Sequence, residues 1–329
     1  MSRIKIIVIL CFASFACQSQ VFPVTPTETP TQTPTATLTP TATPTLTPTL
    51  TPTPAPPARR VLILSIDGFR PDAIPLAPMP FLTSLLNQSA YSLTAQTVYP
   101  SVTLVSHTSM LSGQCPAKHG VNWNDYIPEN GYAQVTDLFD IAHEVGMQTV
   151  MYVGKEKLRQ ITEPGSTDVF KYINDRDLVI TADLIQNFPA DFRLMFVHFP
   201  TADWMGHQYG WLSGEQLSVL FRADQALEQL VTELNNRGLM TETLFIITAD
   251  HGGHATTHGS SLYEDMTIPW VAFGAGIQPA ALNSPITTVD TASTAAFALG
   301  LNIPAEWDGV PVYEAFGLPV EKESVGCGK

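Results

Sequence analysis

Apolar residues in this chain follow two arrangements, and the boundary between them marks a domain. From about residue 59 onward, short continuous apolar runs alternate with longer stretches of helical spacing. Three runs, "RVLILSID", "RLMFVHFPTAD" and "TLFIITADH", are continuous and rich in branched residues, as expected of strands buried on both faces. They end in Asp67, Asp203 and Asp250. Helical spacing occupies roughly 79–89, 134–145, 177–187 and 213–237. This alternation predicts an α/β fold: a doubly wound, mostly parallel sheet with helices on both faces. Ligands of such sheets gather beyond the carboxyl ends of the strands. All three acids belong there.

Residues 1–58 follow no such pattern. Arg3 and Lys5 precede an apolar run from Ile6 to Phe15, the layout of a secretory signal peptide, expected here over 1–16. "SFAC" is similar to a lipoprotein signal, which makes Cys17 the expected lipid-anchored residue and the only route to a membrane; ordinary cleavage after Ala16 is the alternative. The segment 17–58, dominated by "TPTETPTQTPTATLTPTATP", has no apolar periodicity and cannot bury enough surface to offset its ordering entropy. It reads as a disordered Thr/Pro-rich linker that extends away from the anchor. Residues 59–329 then form one domain of catalytic size, and the protein is expected to be exported to the cell surface or secreted.

Composition narrows the function. The formal net charge of −14 opposes binding to a nucleic-acid duplex, whose phosphates need a basic surface. Of the four cysteines, Cys11 and Cys17 belong to the signal region. Cys115 and Cys327 remain, as a disulfide or as two thiols.

A single Asp after a strand is usually a turn former, but here the acids have imidazole companions. Asp203 and His207 are four apart, on one face of any helix that follows the strand. Asp250 is followed directly by His251, and His258 lies beyond a Gly-containing loop, with His254 as its competitor. Asp67, Asp203, His207, Asp250, His251 and His258 make a mixed oxygen and nitrogen donor set suited to two metal ions with open positions. A closed structural zinc site would want cysteines the chain does not place nearby. Two such metals can clamp the attacking and leaving oxygens of a displacement at phosphorus. Thr103 opens an apolar stretch ending at Gly113, where a helix N-terminus would favour an anion, so it is a candidate nucleophile; the bland alternative is a helix cap.

The segments "SIDGFRPD", "YPSVTLVSHTSMLSGQCPAKHGV", "PTADWMGHQYG", "ITADHGG" and "TVDTASTAAFALGLNIPAEWDGVPV" together resemble the alkaline phosphatase superfamily, most of all its type I phosphodiesterase/nucleotide pyrophosphatase branch. The resemblance spans 61–315. It implies an alkaline-phosphatase-like fold, two zinc ions per chain and a covalent phosphothreonine on Thr103. Asp67, Thr103, Asp250 and His251 would hold one zinc, and Asp203, His207 and His258 the other, in a compact variant of the family. The substrate would be a small phosphoester, with nucleotides among the candidates. The family's Asn three residues after the nucleophile, a donor to a phosphoryl oxygen, is Ser106 here. A phosphomonoesterase or sulfatase-like hydrolase of the same superfamily is one alternative, and a non-catalytic metal-containing binding protein another. Lys155 and Arg70, which follow strand-like runs, could contact a phosphoryl oxygen and supply the cationic contacts a monoesterase needs, but cations after strands are commonly surface residues and both are left out of the site.

Overall fold

The computed structural model describes residues 19, 20, 22, 23, 55–320, 324, 326 and 327. The expected signal peptide 1–16, Cys17 and most of the linker lie outside the described residues. Among them, eight strands form one sheet: β1 (Arg60–Ile66), β2 (Ala90–Gln96), β3 (Thr149–Val153), β4 (Val169–Tyr172), β5 (Leu194–Phe199), β6 (Thr243–Thr248), β7 (Thr267–Gly274) and β8 (Ala280–Ala281). Their order is β4-β3-β5-β1-β6-β7-β2-β8. The first five in that order run parallel to one another, whereas β7 pairs antiparallel with both β6 and β2.

The helices are α1 (Pro80–Leu86), α2 (Thr103–Ser112), α3 (Pro116–His119), α4 (Leu138–Glu144), α5 (Asp177–Gln186), α6 (Thr201–Tyr209), α7 (Gly214–Asn236), α8 (Tyr263–Met266) and α9 (Asp290–Leu299). They pack in two groups, α7 with α1, α5 and α6, and α9 with α2 and α4. The long helix α7 shows why. Ser213 caps its start by accepting from Gln216 N, and Val219, Leu220, Ala223, Leu227, Leu230 and Leu234 recur at helical spacing along one buried face. Its buried Asp224 accepts from the N–H groups of Phe81 and Leu82, so a carboxylate within one helix caps the start of another.

Strand β1 is buried throughout and sits between β5 and β6 in parallel register. The three acid-tipped runs are therefore direct neighbours, with their carboxyl ends on one edge. The sheet is more mixed than its apolar runs alone indicate. Pro269 sits inside β7, where a missing N–H would normally disqualify a central strand. Opposite it, the register of β2 shifts between Ser92 and Ala95, a bulge that removes the need for that donor.

Cys115 and Cys327 form a disulfide, which resolves the alternative left open by the sequence. It joins residues 212 positions apart. Closing a loop that long constrains the unfolded chain and stabilises the fold by about 2–5 kcal/mol. Replacing both cysteines by serine should lower stability by that order in denaturant titrations; a change under about 0.5 kcal/mol would show the bond to be energetically idle.

Candidate active site and metal centre

Three adjacent strands deliver three carboxylates. Asp67 follows β1 directly, Asp250 stands two residues beyond β6, and Asp203 lies in the first turn of α6, which begins just after β5. All three are essentially buried. His207 is one turn along α6 from Asp203, with His207 Nε2 3.4 Å from Asp203 Oδ1. His258 reaches the same oxygen at 3.6 Å from the loop after β6, and its Nε2 lies 3.1 Å from His207 Nε2. His251 Nε2 stands 3.4 Å from Asp67 Oδ1 and 3.2 Å from Asp250 Oδ2.

The imidazoles are aimed by backbone carbonyls. His251 Nδ1 meets Gly252 O at 2.7 Å, His258 Nδ1 meets Ser101 O at 2.9 Å, and His207 Nδ1 meets Thr256 O at 3.0 Å. A carbonyl only accepts, so each Nδ1 carries a proton, and in a neutral ring Nε2 is then left as a lone pair. Burial lowers the pKa of His258, and burial together with His258 lowers that of His251 to about 3. Neutral rings fit the stacking of His251 on His258, with ring centroids 3.7 Å apart. Ligating histidines are held in this way in metal sites.

The carboxylates add a second sign. Asp67 Oδ1, Asp203 Oδ1 and Asp250 Oδ2 are buried without a hydrogen-bond partner among the described residues, although buried polar atoms are normally satisfied. Each of these oxygens faces an imidazole lone pair. Burial and the neighbouring Asp67 raise the pKa of Asp250 well above the carboxylate range; at Asp67, burial is outweighed by Lys155 and His198, which hold its pKa well below that range. Lone pairs and orphaned carboxylate oxygens converging on the same space fit divalent cations. Two groups meet ligand spacing, Asp203–His207–His258 and Asp67–Asp203–His251, the ligand atoms within each lying within 4.8 Å of one another.

Thr103 is the first residue within α2, and the cap position belongs to Val102. The hydroxyl makes no capping bond, so the bland alternative is not what the structure contains. Thr103 Oγ1 lies 3.5 Å from His251 Nε2 and 3.3 Å from Lys155 Nζ. The segment after Asp250 passes directly against Trp211, which Gly253 allows because a Cβ there would fall 2.2 Å from the Trp211 ring. Trp211 in turn donates through Nε1 to Gly68 O, tying the β1 and β6 tips together.

Of the two histidines competing for the last position, the structure brings His258 to the cluster and takes His254 elsewhere. His254 Nδ1 lies 2.7 Å from Asp265 Oδ1, and Asp265 also accepts from Ser260. Ser106 is turned inward, accepting from Thr97 Oγ1 at 3.1 Å. Sequence reasoning overlooked Asn124, which lines the cleft beside Thr103. Its Oδ1 is occupied by Leu104 N at 2.9 Å, leaving the amide N–H groups as donors to a ligand. Nothing in "GVNWND" distinguishes it from a loop residue. Lys155, which the sequence reading left out of the site, has its Nζ 2.6 Å from Asp67 Oδ2 and 2.6 Å from Asp203 Oδ2. Burial alone would lower its pKa, but Asp67, Asp203 and Asp250 outweigh burial and hold it above the ordinary lysine value, so it is charged. Arg70 stays apart and bonds Asp72 and Gly253 O. Of the remaining histidines, His198 orients Asp67 through Oδ2 at 2.8 Å, His107 bonds Thr103 O and Ser65 within the core, and His119 bonds Ser109.

The cluster opens into a cleft of about 390 Å³ lined by Thr103, Asn124, Tyr126, Lys157, Trp204 and His207, among others. A doubly wound sheet with its acids and imidazoles gathered at the strand tips is the arrangement that the resemblance to the alkaline phosphatase superfamily implied. The match is specific to one branch, since the family model for type I phosphodiesterase / nucleotide pyrophosphatase covers residues 61–138 and 152–268. The chain belongs to that family. Venom phosphodiesterase 2 of Crotalus adamanteus is 28% identical over 221 residues, covering 58% of this chain and 26% of that protein. GPI ethanolamine phosphate transferase 1 of Candida glabrata is 23% identical over 301 residues, covering 76% of this chain and 33% of its own. The chain thus spans about a quarter to a third of the length of these curated relatives. Murine ectonucleotide pyrophosphatase/phosphodiesterase 5 superposes with a TM-score of 0.68 at 16% identity, over 79% of this chain and 99% of that one, a likeness of fold.

The placement of the two histidines is testable by zinc titration calorimetry. His258→Ala should weaken zinc binding by more than about tenfold, since loss of even an indirect partner costs that much, and His254→Ala should leave it within about threefold. The reverse result would show that the loop carries His254 into the site.

Proposed function

We propose that the protein is an exported two-zinc phosphoesterase of phosphodiesterase or nucleotide pyrophosphatase type that acts through a phosphothreonine on Thr103. The observation that carries this reading is the convergence of orphaned carboxylate oxygens and imidazole lone pairs around a buried hydroxyl at a helix N-terminus. Asp67, Thr103, Asp250 and His251 would hold one zinc, and Asp203, His207 and His258 the other, the division the family resemblance implies. Bound zinc would supply Lewis acidity, favouring the threonine alkoxide and neutralising charge on the transferring phosphoryl group.

The chain's own residues set the rest. The first turn of α2 places Thr103 Oγ1 in the positive potential of the helix N-terminus, where a phosphoryl anion is also favoured. Asn124 donates to a non-bridging phosphoryl oxygen, the function the sequence resemblance had assigned to position 106. Thr103 Oγ1 forms the new bond to phosphorus as the bond to the leaving oxygen breaks. Water then releases the phosphoryl group and restores the hydroxyl. Two in-line displacements give net retention at phosphorus. Trp204 and Tyr126 at the cleft wall offer aromatic surface to a nucleobase or another leaving group.

Export is supported by the Cys115–Cys327 disulfide, which suits an oxidising compartment, and by the signal-like start of the chain. Among the described residues no helix is long and apolar enough to cross a membrane. Attachment would rest on lipidation of Cys17, testable by metabolic lipid labelling.

Activity on bis-p-nitrophenyl phosphate should exceed activity on p-nitrophenyl sulfate by several orders of magnitude in kcat/KM. Thr103→Ala should lower kcat by at least about a thousandfold with zinc content unchanged, and Thr103→Ser should recover much of it. If Thr103→Ala stays within about tenfold of wild type, or inversion is found with a chiral thiophosphate, water attacks phosphorus directly and the covalent route is wrong.

A further inference from the structure

Strand β3 lies beside β5, and its carboxyl end brings Gly154 and Lys155 to the acid cluster. The approach is close: a Cβ on Gly154 would sit 2.3 Å from Pro200 Cγ. Gly154 N donates to His198 Nδ1 at 3.2 Å, and His198 Nε2 donates to Asp67 Oδ2 at 2.8 Å. The backbone that carries Lys155 is thereby tied to the same carboxylate its side chain meets. The ammonium lies 2.6 Å from Asp67 Oδ2, 2.6 Å from Asp203 Oδ2 and 3.3 Å from Thr103 Oγ1. Two of its three N–H groups are donated, to Asp203 Oδ2 and Thr103 Oγ1, while Asp67 Oδ2 is held as an ion pair.

Two features distinguish this arrangement from an ordinary structural ion pair. Lys155 engages Oδ2 of each carboxylate, whereas the orphaned oxygens of Asp67 and Asp203 that face imidazoles are both Oδ1. The ammonium and a metal ion therefore need not compete for the same atom. It also touches the oxygen proposed to attack phosphorus, and it lines the open cleft.

We propose that Lys155 is a catalytic and specificity-determining residue that fits the site to a doubly charged phosphoryl group, that of a phosphomonoester or terminal phosphate, alongside the singly charged group of a diester. This rests on the phosphoesterase reading above. While Thr103 keeps its proton, three carboxylates against two divalent cations would leave one positive charge, enough for a diester; the ammonium would add a second, matching a terminal phosphate near neutral pH. In the step itself Thr103 Oγ1 gives its proton to water and bonds to phosphorus, and the leaving oxygen departs with the electron pair of its bond. Lys155 keeps its protons throughout and acts as a hydrogen-bond donor and fixed charge.

The test compares wild type, Lys155→Met and Lys155→Arg as zinc-loaded full chains. Measured are zinc content, the Kd of inorganic phosphate by calorimetry, and kcat/KM on p-nitrophenyl phosphate and bis-p-nitrophenyl phosphate. In Lys155→Met the monoester-to-diester ratio should fall by about tenfold or more and phosphate should bind at least about tenfold more weakly, as expected for losing one close unit charge. Zinc content should stay at the wild-type value. Lys155→Arg should keep both quantities within about threefold. An unchanged ratio and phosphate affinity at full zinc content would overturn the proposal, and so would zinc loss in Lys155→Met, which would make the lysine a metal-retaining group. Lys155→Gln replaces the Met variant if that protein does not fold. A wild type that hydrolyses neither ester would refute the phosphoesterase reading instead, and phosphate binding would still decide what Lys155 does.

Discussion

Three carboxylates buried side by side at the tips of neighbouring parallel strands are the constraint from which the rest of this site follows. Asp67, Asp203 and Asp250 are shielded from water, and moving such groups out of water costs several kcal/mol each unless positive charge meets them. One ammonium, from Lys155, is built into the chain and reaches two of them. The oxygens left without a hydrogen-bond partner face imidazole nitrogens. An unpaired arrangement of this kind is a poor way to stabilise a fold and a good way to bind cations.

The sheet order makes this possible. With β3, β5, β1 and β6 adjacent and parallel, residues just past four strand ends fall within a side chain's length of one another. The surroundings fix orientation. Carbonyls of Ser101, Gly252 and Thr256 set the tautomers of the histidines, and His198 holds Asp67 from behind. Trp211 packs between the β1 tip and Gly253. These contacts keep the constellation in place without filling it.

Much of this was legible in the sequence, for physical reasons. An unbroken apolar run announces a buried strand, so Asp67 and Asp250 could be placed at strand tips, and the four-residue spacing put His207 beneath Asp203 on α6. Thr103 was placed at a helix start, and α2 runs from Thr103 to Ser112. What stayed hidden depends on contacts distant in sequence. The strand β3 is five residues long, and only its pairing beside β5 shows that Lys155 points at the acids rather than at solvent. Asn124 acquires meaning only from Leu104 N, twenty positions earlier. His254 and His258 sit in one loop, and it is the bond of His254 to Asp265 that separates them. Strand β7 was not among the three apolar runs, and the bulge that accommodates its Pro269 lies on β2, far off in sequence.

The central claim is that the strand-tip cluster holds two metal ions in the division described above. An anomalous difference map of zinc-loaded crystals, collected on both sides of the zinc absorption edge, tests it most directly. The account predicts two peaks, one among Asp203, His207 and His258 and the other among Asp67, Thr103, Asp250 and His251. A single peak, or none, in crystals of catalytically active protein would contradict it.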